Sequence, residues 1–266
     1  MDDRPIGVFD SGLGGLTVVS EIMKSLPNES LIYFGDNGRT PYGTKSKETV
    51  IKYTKQDVAF LLSKDVKMLV VACNTVSALA LSEVSSAINV PVLEVIKPGA
   101  KSALKKTKSG RIGIIATPGT IASGVYSSAI LNLNPAVEIF SKACPLFVSL
   151  VEEGWWNNEI ARMVAEEYLK DIKKEKVDTL VLGCTHYPLL SETIRKVMGD
   201  EVSQVNSAKE LALALKELLE EKEMSAAQKP ARYMYYTSDS VEKFKELGKL
   251  ILSADIENVE RVDVGN

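Results

Sequence analysis

The chain has 266 residues, of which 45% are apolar and 25% charged, and its net charge is −3. This length allows one large or two small domains, and the composition is ordinary for a globular protein with a sizeable core. The charge balance argues against a nucleic-acid partner, and no apolar run reaches the ~20 residues of a membrane helix. The acidic amino terminus lacks the pattern of a signal peptide, so we expect a cytoplasmic protein with reduced thiols.

The predicted elements alternate along the chain between short apolar runs and amphipathic segments. Ten runs are predicted strands: 6–10, 31–36, 67–73, 90–96, 111–117, 137–143, 178–184, 201–206, 232–238 and 259–264. Segments between them, such as 48–64, 158–174 and 207–222, have the 3.6-residue periodicity of helices. Continuous apolar strands joined by helices predict an α/β fold with mostly parallel sheets covered on both faces.

Two pairs of residues mark predicted helix starts. Ser207 with Glu210 has the spacing of a capping box, in which each side chain bonds the backbone N–H of the other residue. Asp239 with Glu242 has the same spacing and predicts a second start.

Ten strands are many for one sheet, which favours two α/β domains. We predict one from residues 1–96 with 208–266 and the other from 97–207. The phrases VVACNT (70–75) and VLGCTH (181–186) each place a cysteine and polar residues after an apolar strand. This repetition indicates halves related by a pseudo-two-fold axis, with the active site in the cleft between them.

Polar residues follow several predicted strands, at the end of the sheet where parallel α/β proteins bind ligands. They are Asp10 and Ser11, the loop 36–43, Cys73 with Asn74 and Thr75, Thr117 and Thr120, and Cys184 with Thr185 and His186. Both strand-end cysteines precede predicted helix starts, where free N–H groups and the helix dipole favour a thiolate and bind carboxylates. We therefore expect a cleft with a thiol on each wall and a small anionic substrate.

Two thiols on opposite walls suit stereoinversion at a carbon atom. One thiolate removes a proton while the opposite thiol delivers one to the other face, which requires one group in each protonation state. The unperturbed cysteine pKa of about 8.5 makes both forms accessible near neutrality. Asn74, Thr75 and Thr185 are candidate donors for the negative charge that develops on the substrate.

Six phrases together cover essentially the whole chain. They are IGVFDSGLGGLTV (6–18), YFGD with PYG (33–43), VVACNT (70–75), ATPGTI (116–121), PLFVSLVEEG (145–154) and LGCTHYPLL (182–190). In these phrases the sequence resembles the glutamate racemases of the cofactor-independent aspartate/glutamate racemase superfamily. The resemblance implies interconversion of L- and D-glutamate without cofactor or metal, D-glutamate supply to peptidoglycan, and a homodimer. Relatives with an amino-terminal extension can depend on a cell-wall-precursor activator, which we do not expect here.

The resemblance also implies roles for individual residues. Cys73 and Cys184 would be the catalytic bases, with Cys184 deprotonating L-glutamate and Cys73 deprotonating D-glutamate. Asp10 would assist Cys73, and Glu152 and His186 would assist Cys184. With the strand-end residues included, the expected substrate contacts are Asp10, Ser11, Pro41, Tyr42, Gly43, Asn74, Thr75, Thr117, Thr120, Thr185 and His186.

Other interpretations of these residues stay open. A single cysteine is usually a packing residue, as we expect for Cys144, and a lone histidine is usually structural. Cys184 with His186 would also suit an acyl-transfer enzyme, in which Cys73 is dispensable. A non-catalytic amino-acid-binding protein and an aspartate racemase are further alternatives. The ligand spacing has no metal signature, and SGLGG (11–15) predicts a tight turn close to a ligand rather than a nucleotide site.

Overall fold

A computed structural model describes residues 1–227 and 230–265. Ten strands form in these residues, one inside each predicted run. They are β1 (Ile6–Asp10), β2 (Leu31–Gly35), β3 (Met68–Val71), β4 (Val92–Glu94), β5 (Arg111–Ala116), β6 (Glu138–Ala143), β7 (Thr179–Gly183), β8 (Ser203–Asn206), β9 (Tyr233–Thr237) and β10 (Val259–Arg261).

The predicted amphipathic segments are helices. In full, the α-helices are α1 (Leu16–Ser25), α2 (Lys47–Leu62), α3 (Asn74–Leu79), α4 (Leu81–Val84), α5 (Ile96–Lys106), α6 (Pro118–Ser123), α7 (Val125–Leu133), α8 (Leu146–Glu152), α9 (Glu159–Lys174), α10 (Ser191–Met198), α11 (Ser207–Glu221) and α12 (Val241–Leu252). Among residues 1–227 and 230–265, none of the helices has the length and apolar character to span a membrane.

Two helix starts differ by one residue from the prediction. Helix α11 is capped by Asn206, whose Oδ1 accepts hydrogen bonds from N–H groups of the first turn. The predicted cap Ser207 is instead the first helical residue, and its Oγ donates to the Leu182 carbonyl at 3.0 Å. Helix α12 is capped by Ser240 rather than Asp239. In both cases a short polar side chain one position away has the extended or turn backbone that a cap requires.

The strands form two sheets in which every neighbouring pair is parallel. The first sheet has the order β10-β9-β2-β1-β3-β4, and the second has the order β6-β5-β7-β8. The order β2-β1-β3-β4 of the first sheet is repeated in the second, as two related halves would require. The predicted α/β fold with two parallel sheets is confirmed.

The two sheets take their strands from different parts of the chain. The first uses residues 6–94 and 233–261, and the second uses 111–206. Helix α5 carries the chain from the first sheet to the second. The domain boundaries after residues 96 and 207 fall between these strand sets and stay predictions.

One apolar core joins the two sheets. Ile6 and Val8 of the first sheet, Ile112 and Val181 of the second, and Leu215 of α11 are all fully buried in it. Helices α1, α5 and α7 belong to the same cluster, while separate clusters cover the opposite faces of the sheets. Because a shared core fixes the sheets, the loops after β1, β2, β3, β5 and β7 meet around one small cavity.

Candidate active site

Cys73 lies two residues beyond the end of β3 and immediately before helix α3. It is 4% exposed, and its Sγ lies 3.6 Å from Oγ of Ser11, which follows β1. Ser77 of α3 donates its hydroxyl to the Cys73 carbonyl at 2.9 Å. The helix start predicted after this cysteine is confirmed, and it fixes the thiol at the edge of the sheet.

Cys184 directly follows β7, at the equivalent position of the second sheet. Its Sγ lies 3.7 Å from Nδ1 of His186. The other ring nitrogen, Nε2, lies 2.7 Å from Oε1 of Glu152, the last residue of α8. The thiol, the imidazole and the carboxylate therefore form a connected chain.

Both thiols line one small cavity where the strand ends of the two sheets meet. Its lining residues are Ser11, Pro41, Tyr42, Gly43, Cys73, Asn74, Thr75, Thr117, Val148, Cys184, Thr185 and His186. The cavity has a volume of about 20 Å³, which is room for about one water molecule. The walls must therefore separate before an amino acid enters.

Three predicted site residues lie behind the cavity wall. Asp10 is fully buried and accepts a hydrogen bond from Thr185 Oγ1 at 2.9 Å. Thr120 Oγ1 lies 3.0 Å from Thr117 Oγ1, which lines the cavity. Glu152 contacts a lining residue through its hydrogen bond to the imidazole. In this arrangement the three side chains contact residues of the wall, and direct contact of Asp10 and Thr120 with a substrate stays a prediction.

The Cys73 wall favours a neutral thiol. Burial, and then the charge of Asp10, raises the pKa of Cys73 well above its ordinary value. Burial also raises the pKa of Asp10, although the charge of His186 and the hydrogen bond from Thr185 work to lower it. Asp10 Oδ1 has no hydrogen-bond partner among the described residues and remains an acceptor.

The Cys184 wall favours a cation beside the thiol. Burial works to lower the pKa of His186, but the hydrogen bonds and charges of Cys184 and Glu152 outweigh it and raise this pKa well above its ordinary value. Burial works to raise the pKa of Glu152, yet His186 lowers it. These two pKa directions favour an imidazolium next to a carboxylate. The two thiols therefore have different electrostatic surroundings.

Tyr126 of α7 orients a donor in the cavity wall. Its hydroxyl donates to Asn74 Oδ1 at 2.7 Å. Asn74 Nδ2 is buried without a hydrogen-bond partner in the described part of the chain, so it is free to donate to a ligand. The sequence does not predict Tyr126 or the lining residue Val148, because each lies in a helical segment with no polar motif to mark it.

The glycines of segment 11–15 lie close against side chains from other parts of the chain. A Cβ on Gly14 would lie 2.3 Å from Nδ1 of His186, and one on Gly15 would lie 2.5 Å from Asp10 Cβ. The tight turn is present, and its first residue, Ser11, lines the cavity, whereas Gly14 and Gly15 do not; the close approach of this turn to a ligand stays a prediction. Gly14 and Gly15 leave room for the side chains of His186 and Asp10.

The third cysteine lies apart from the cavity. Cys144 is fully buried in an apolar cluster, which confirms its predicted packing role. All three cysteines are free thiols. Across residues 1–227 and 230–265, no group of three or more His, Cys, Asp and Glu side chains is arranged to hold a metal ion.

Comparison with known proteins gives near-full-length matches. A family model described as Asp/Glu/Hydantoin racemase matches residues 7–214. A glutamate racemase from Geobacter metallireducens is 48% identical over 262 residues, which cover 98% of this chain and 97% of the relative.

Two solved structures are similar over nearly the whole chain. Glutamate racemase isoform RacE1 from Bacillus anthracis has a TM-score of 0.95 at 41% identity, covering 99% of this chain and 98% of that chain. A glutamate racemase from Francisella tularensis in complex with D-glutamate has a TM-score of 0.92 at 41% identity, covering 99% of both chains. The resemblance seen in the sequence motifs is confirmed. The chain belongs to the Asp/Glu/hydantoin racemase family and is an isomerase, an amino-acid racemase.

Proposed function

We propose that the protein interconverts L- and D-glutamate by proton transfer at Cα, with Cys73 and Cys184 as the two acid–base groups. The proposal rests on two thiols that line one cavity and have different partners. Cys73 lies beside Ser11 and Asp10, whereas Cys184 lies beside His186. Glutamate is favoured over aspartate because the similar proteins described above are named glutamate racemases.

The proton transfers run in sequence across the cavity. From L-glutamate, the Cys184 thiolate accepts the α-proton, so that the Cα–H bond breaks and an S–H bond forms. The electron pair stays on the substrate, and the Cys73 thiol then donates its proton to the opposite face. The product is D-glutamate with a Cys73 thiolate, and the reverse reaction exchanges the two roles. The His186 cation supports the starting thiolate, and burial keeps Cys73 protonated.

Fixed donors stabilise the carbanion and hold the substrate. The free Nδ2 of Asn74 and the hydroxyls of Thr75 and Ser11 line the cavity where a substrate carboxylate would lie. Donors that are already oriented act most strongly in a site from which water is excluded. No cofactor or metal takes part in the proposed steps.

The proposed product also suggests a cellular role. We place the enzyme in the cytoplasm, as a homodimer that supplies D-glutamate for peptidoglycan synthesis. The support is the resemblance of the sequence to glutamate racemases. Light scattering of the purified protein tests the dimer, because a monomeric mass would contradict it.

The direct test is incubation of the purified protein with L-glutamate in D₂O without added cofactor. We expect the optical rotation to fall to zero while deuterium replaces the α-proton in the NMR spectrum. Cys73→Ala and Cys184→Ala should each abolish racemisation, whereas Cys144→Ala, the matched cysteine outside the cavity, should retain it. Glutamate that stays optically pure and undeuterated would contradict the proposal, and aspartate would be the next substrate.

The chain Cys184–His186–Glu152 also matches the parts of a Cys-His acyl-transfer enzyme. That reaction would leave an acyl group on Cys184 and would not need Cys73. Mass spectrometry of the protein after incubation with glutamate distinguishes the two functions. An unmodified mass together with loss of activity in Cys73→Ala supports racemisation, and a covalent adduct supports acyl transfer. Unchanged glutamate bound without exchange would indicate the binding-protein alternative.

A further inference from the structure

A buried charged cluster lies behind the cavity wall. The Tyr42 cluster consists of Asp36, Arg39, Tyr42 and Asp57, and both carboxyl groups are fully buried. The Tyr42 hydroxyl bonds Asp36 Oδ2 and lies 2.9 Å from Asp57 Oδ2. Arg39 donates from Nε to Asp36 Oδ2 at 2.5 Å and from Nη2 to Asp57 Oδ1 at 2.9 Å. Of these four residues, only Tyr42 lines the cavity.

Tyr42 links the cluster to the cavity. Together with Pro41 and Gly43 it forms one wall. Its ring packs on Tyr53 of α2, with the centroids 5.5 Å apart, so its hydroxyl reaches the buried carboxyl groups. Gly43 lies against Thr117 so closely that a Cβ would be 2.4 Å from that side chain. Because Gly43 has so little free space beside Thr117, we expect a shift of Tyr42 to displace this wall.

The Tyr42 cluster has too few hydrogen-bond donors to satisfy two ionised carboxyl groups. The phenol has one proton, yet its oxygen lies within hydrogen-bonding distance of both Asp36 and Asp57. Arg39 carries one positive charge and faces two fully buried acids. A buried negative charge without compensation is costly, and neighbouring carboxyl groups commonly share a single charge. One of the two carboxyl groups therefore carries a proton.

The two carboxyl groups differ in their hydrogen-bond partners. Asp36 accepts from Arg39, from Tyr42 and from Ser238 Oγ at 2.7 Å, a set of donors that suits a carboxylate. Asp57 Oδ1 accepts from Arg39, and Asp57 Oδ2 has the phenol oxygen 2.9 Å away, so that a proton on Oδ2 would be donated to that oxygen when the phenol donates to Asp36. Burial, and then the charge of Asp36, raises the pKa of Asp57 well above its ordinary value, although Arg39 and Tyr42 work to lower it.

We propose that Asp57 is a neutral acid at neutral pH and that, with Asp36 and Arg39, it positions Tyr42 and thereby the substrate-binding wall 41–43. The hydrogen bonds run from Asp57 to the Tyr42 oxygen, and from the Tyr42 hydroxyl to the Asp36 carboxylate. The three residues outside the wall are positioning residues. Glutamate as the ligand of this wall rests on the proposed function, whereas the protonation of Asp57 does not.

A matched pair of substitutions tests the assignment. Asp57→Asn keeps a donor towards Tyr42, so we expect KM for glutamate within about twofold of wild type. Asp36→Asn removes one acceptor oxygen from a group that faces three donors, so we expect KM to rise about tenfold, with kcat changed by less than about threefold. Tyr42→Phe, which removes one hydroxyl, should raise KM in the same way and covers the case in which Asp36→Asn does not fold. Asp65→Asn, at an exposed carboxyl group just beyond α2, is the control.

The reversed pattern would overturn the proposal: Asp57→Asn impaired as much as Asp36→Asn, or Asp36→Asn equal to wild type. A second readout needs no activity. The infrared difference spectrum of wild type minus Asp57→Asn at neutral pH should contain the C=O stretch of a protonated carboxyl group, and its absence contradicts the assignment. If the wild-type protein shows this band but has no racemase activity, the proposed function is contradicted and the protonation of Asp57 is not. An active wild type without the band contradicts only the inference drawn from the Tyr42 cluster.

Discussion

The two thiols of the cavity have unequal neighbours, yet the reaction they are proposed to catalyse is symmetric. Burial and Asp10 hold Cys73 protonated, and the His186 cation lies beside Cys184. Because L- and D-glutamate have equal free energies, kcat/KM must be the same in both directions at every pH. The difference between the two walls can therefore appear only in the separate values of kcat and KM for L- and D-glutamate, and in how these values change on substitution.

Glu152→Gln tests the role of the carboxylate behind His186. Glu152 helps to raise the pKa of His186, so its neutralisation should lower that pKa. The imidazolium is present below this pKa and is lost as the pH rises through it. We therefore expect kcat to fall about 10-fold to 100-fold, and the alkaline decline of kcat/KM to move to lower pH. Kinetics from acidic to alkaline pH measure both effects.

The neighbouring Glu153→Gln is the matched control for that substitution. Glu153 is an exposed carboxylate that faces Lys243 at 3.6 Å. We expect its removal to leave kcat and the pH profile unchanged. Equal profiles for Glu152→Gln and Glu153→Gln would show that the hydrogen bond to His186 has no part in catalysis.

Tyr126→Phe tests whether orientation of the Asn74 amide matters for binding. The substitution removes the hydroxyl that donates to Asn74 Oδ1 and lets the amide rotate. A net hydrogen-bond contribution of about 0.5–1.5 kcal/mol predicts a KM for glutamate about threefold to tenfold higher, with little change in kcat. Steady-state kinetics measure this, with Tyr233→Phe on β9 as the control. An unchanged KM would contradict the positioning role of Tyr126.

At the scale of elements, the strands follow from the sequence because apolar β-branched runs favour parallel sheets that are buried on both faces. The exact first residue of a helix is harder to predict from the sequence, because two adjacent polar residues can each serve as the N-cap. Asn206 takes the cap of α11 because its side chain accepts from the first turn, while Ser207 bonds the neighbouring strand β7.

Asn206→Ala should reduce the free energy of unfolding by about 1 kcal/mol, the usual cost of losing an N-cap. Glu210→Ala, which removes the other half of the predicted capping box, should cost less, because the 3.7 Å ion pair of Glu210 with the partly exposed Lys106 contributes little. Urea unfolding of both variants measures the difference. A larger loss for Glu210→Ala would support the capping box over the observed cap.

The residues of the candidate site that follow strands could be predicted from the sequence pattern, whereas Glu152 at the end of α8 is expected only from the family resemblance. Cys73, Asn74 and Cys184 stand out because polar residues end apolar runs at the edge of a parallel sheet. Asp57 lies in an amphipathic helix, where a charge normally indicates a solvated face, yet it is fully buried against Asp36. Its environment depends on a contact between distant segments, which local periodicity does not describe.

At the scale of the whole molecule, two sheets of equivalent strand order share one core and bring their thiols to one cavity. Hydrogen bonds join the two halves beside it, including those from Thr185 to Asp10, from Thr17 to the Thr185 carbonyl and from Tyr126 to Asn74. A cavity of about 20 Å³ is closed to an amino acid. Substrate entry therefore requires the walls of this cavity to move apart.

Two separate monoprotic thiols are proposed to act on opposite faces of one carbon, and the initial position of solvent deuterium distinguishes them from a single base. L-glutamate is incubated with the protein in D₂O, and the two enantiomers are separated before the reaction approaches equilibrium. Because Cys73 delivers a solvent-derived deuteron while Cys184 holds the proton it removed, the new D-glutamate should carry deuterium and the remaining L-glutamate should keep its α-proton. Deuterium appearing equally fast in the remaining L-glutamate, as a single exchanging base would produce, would contradict the account.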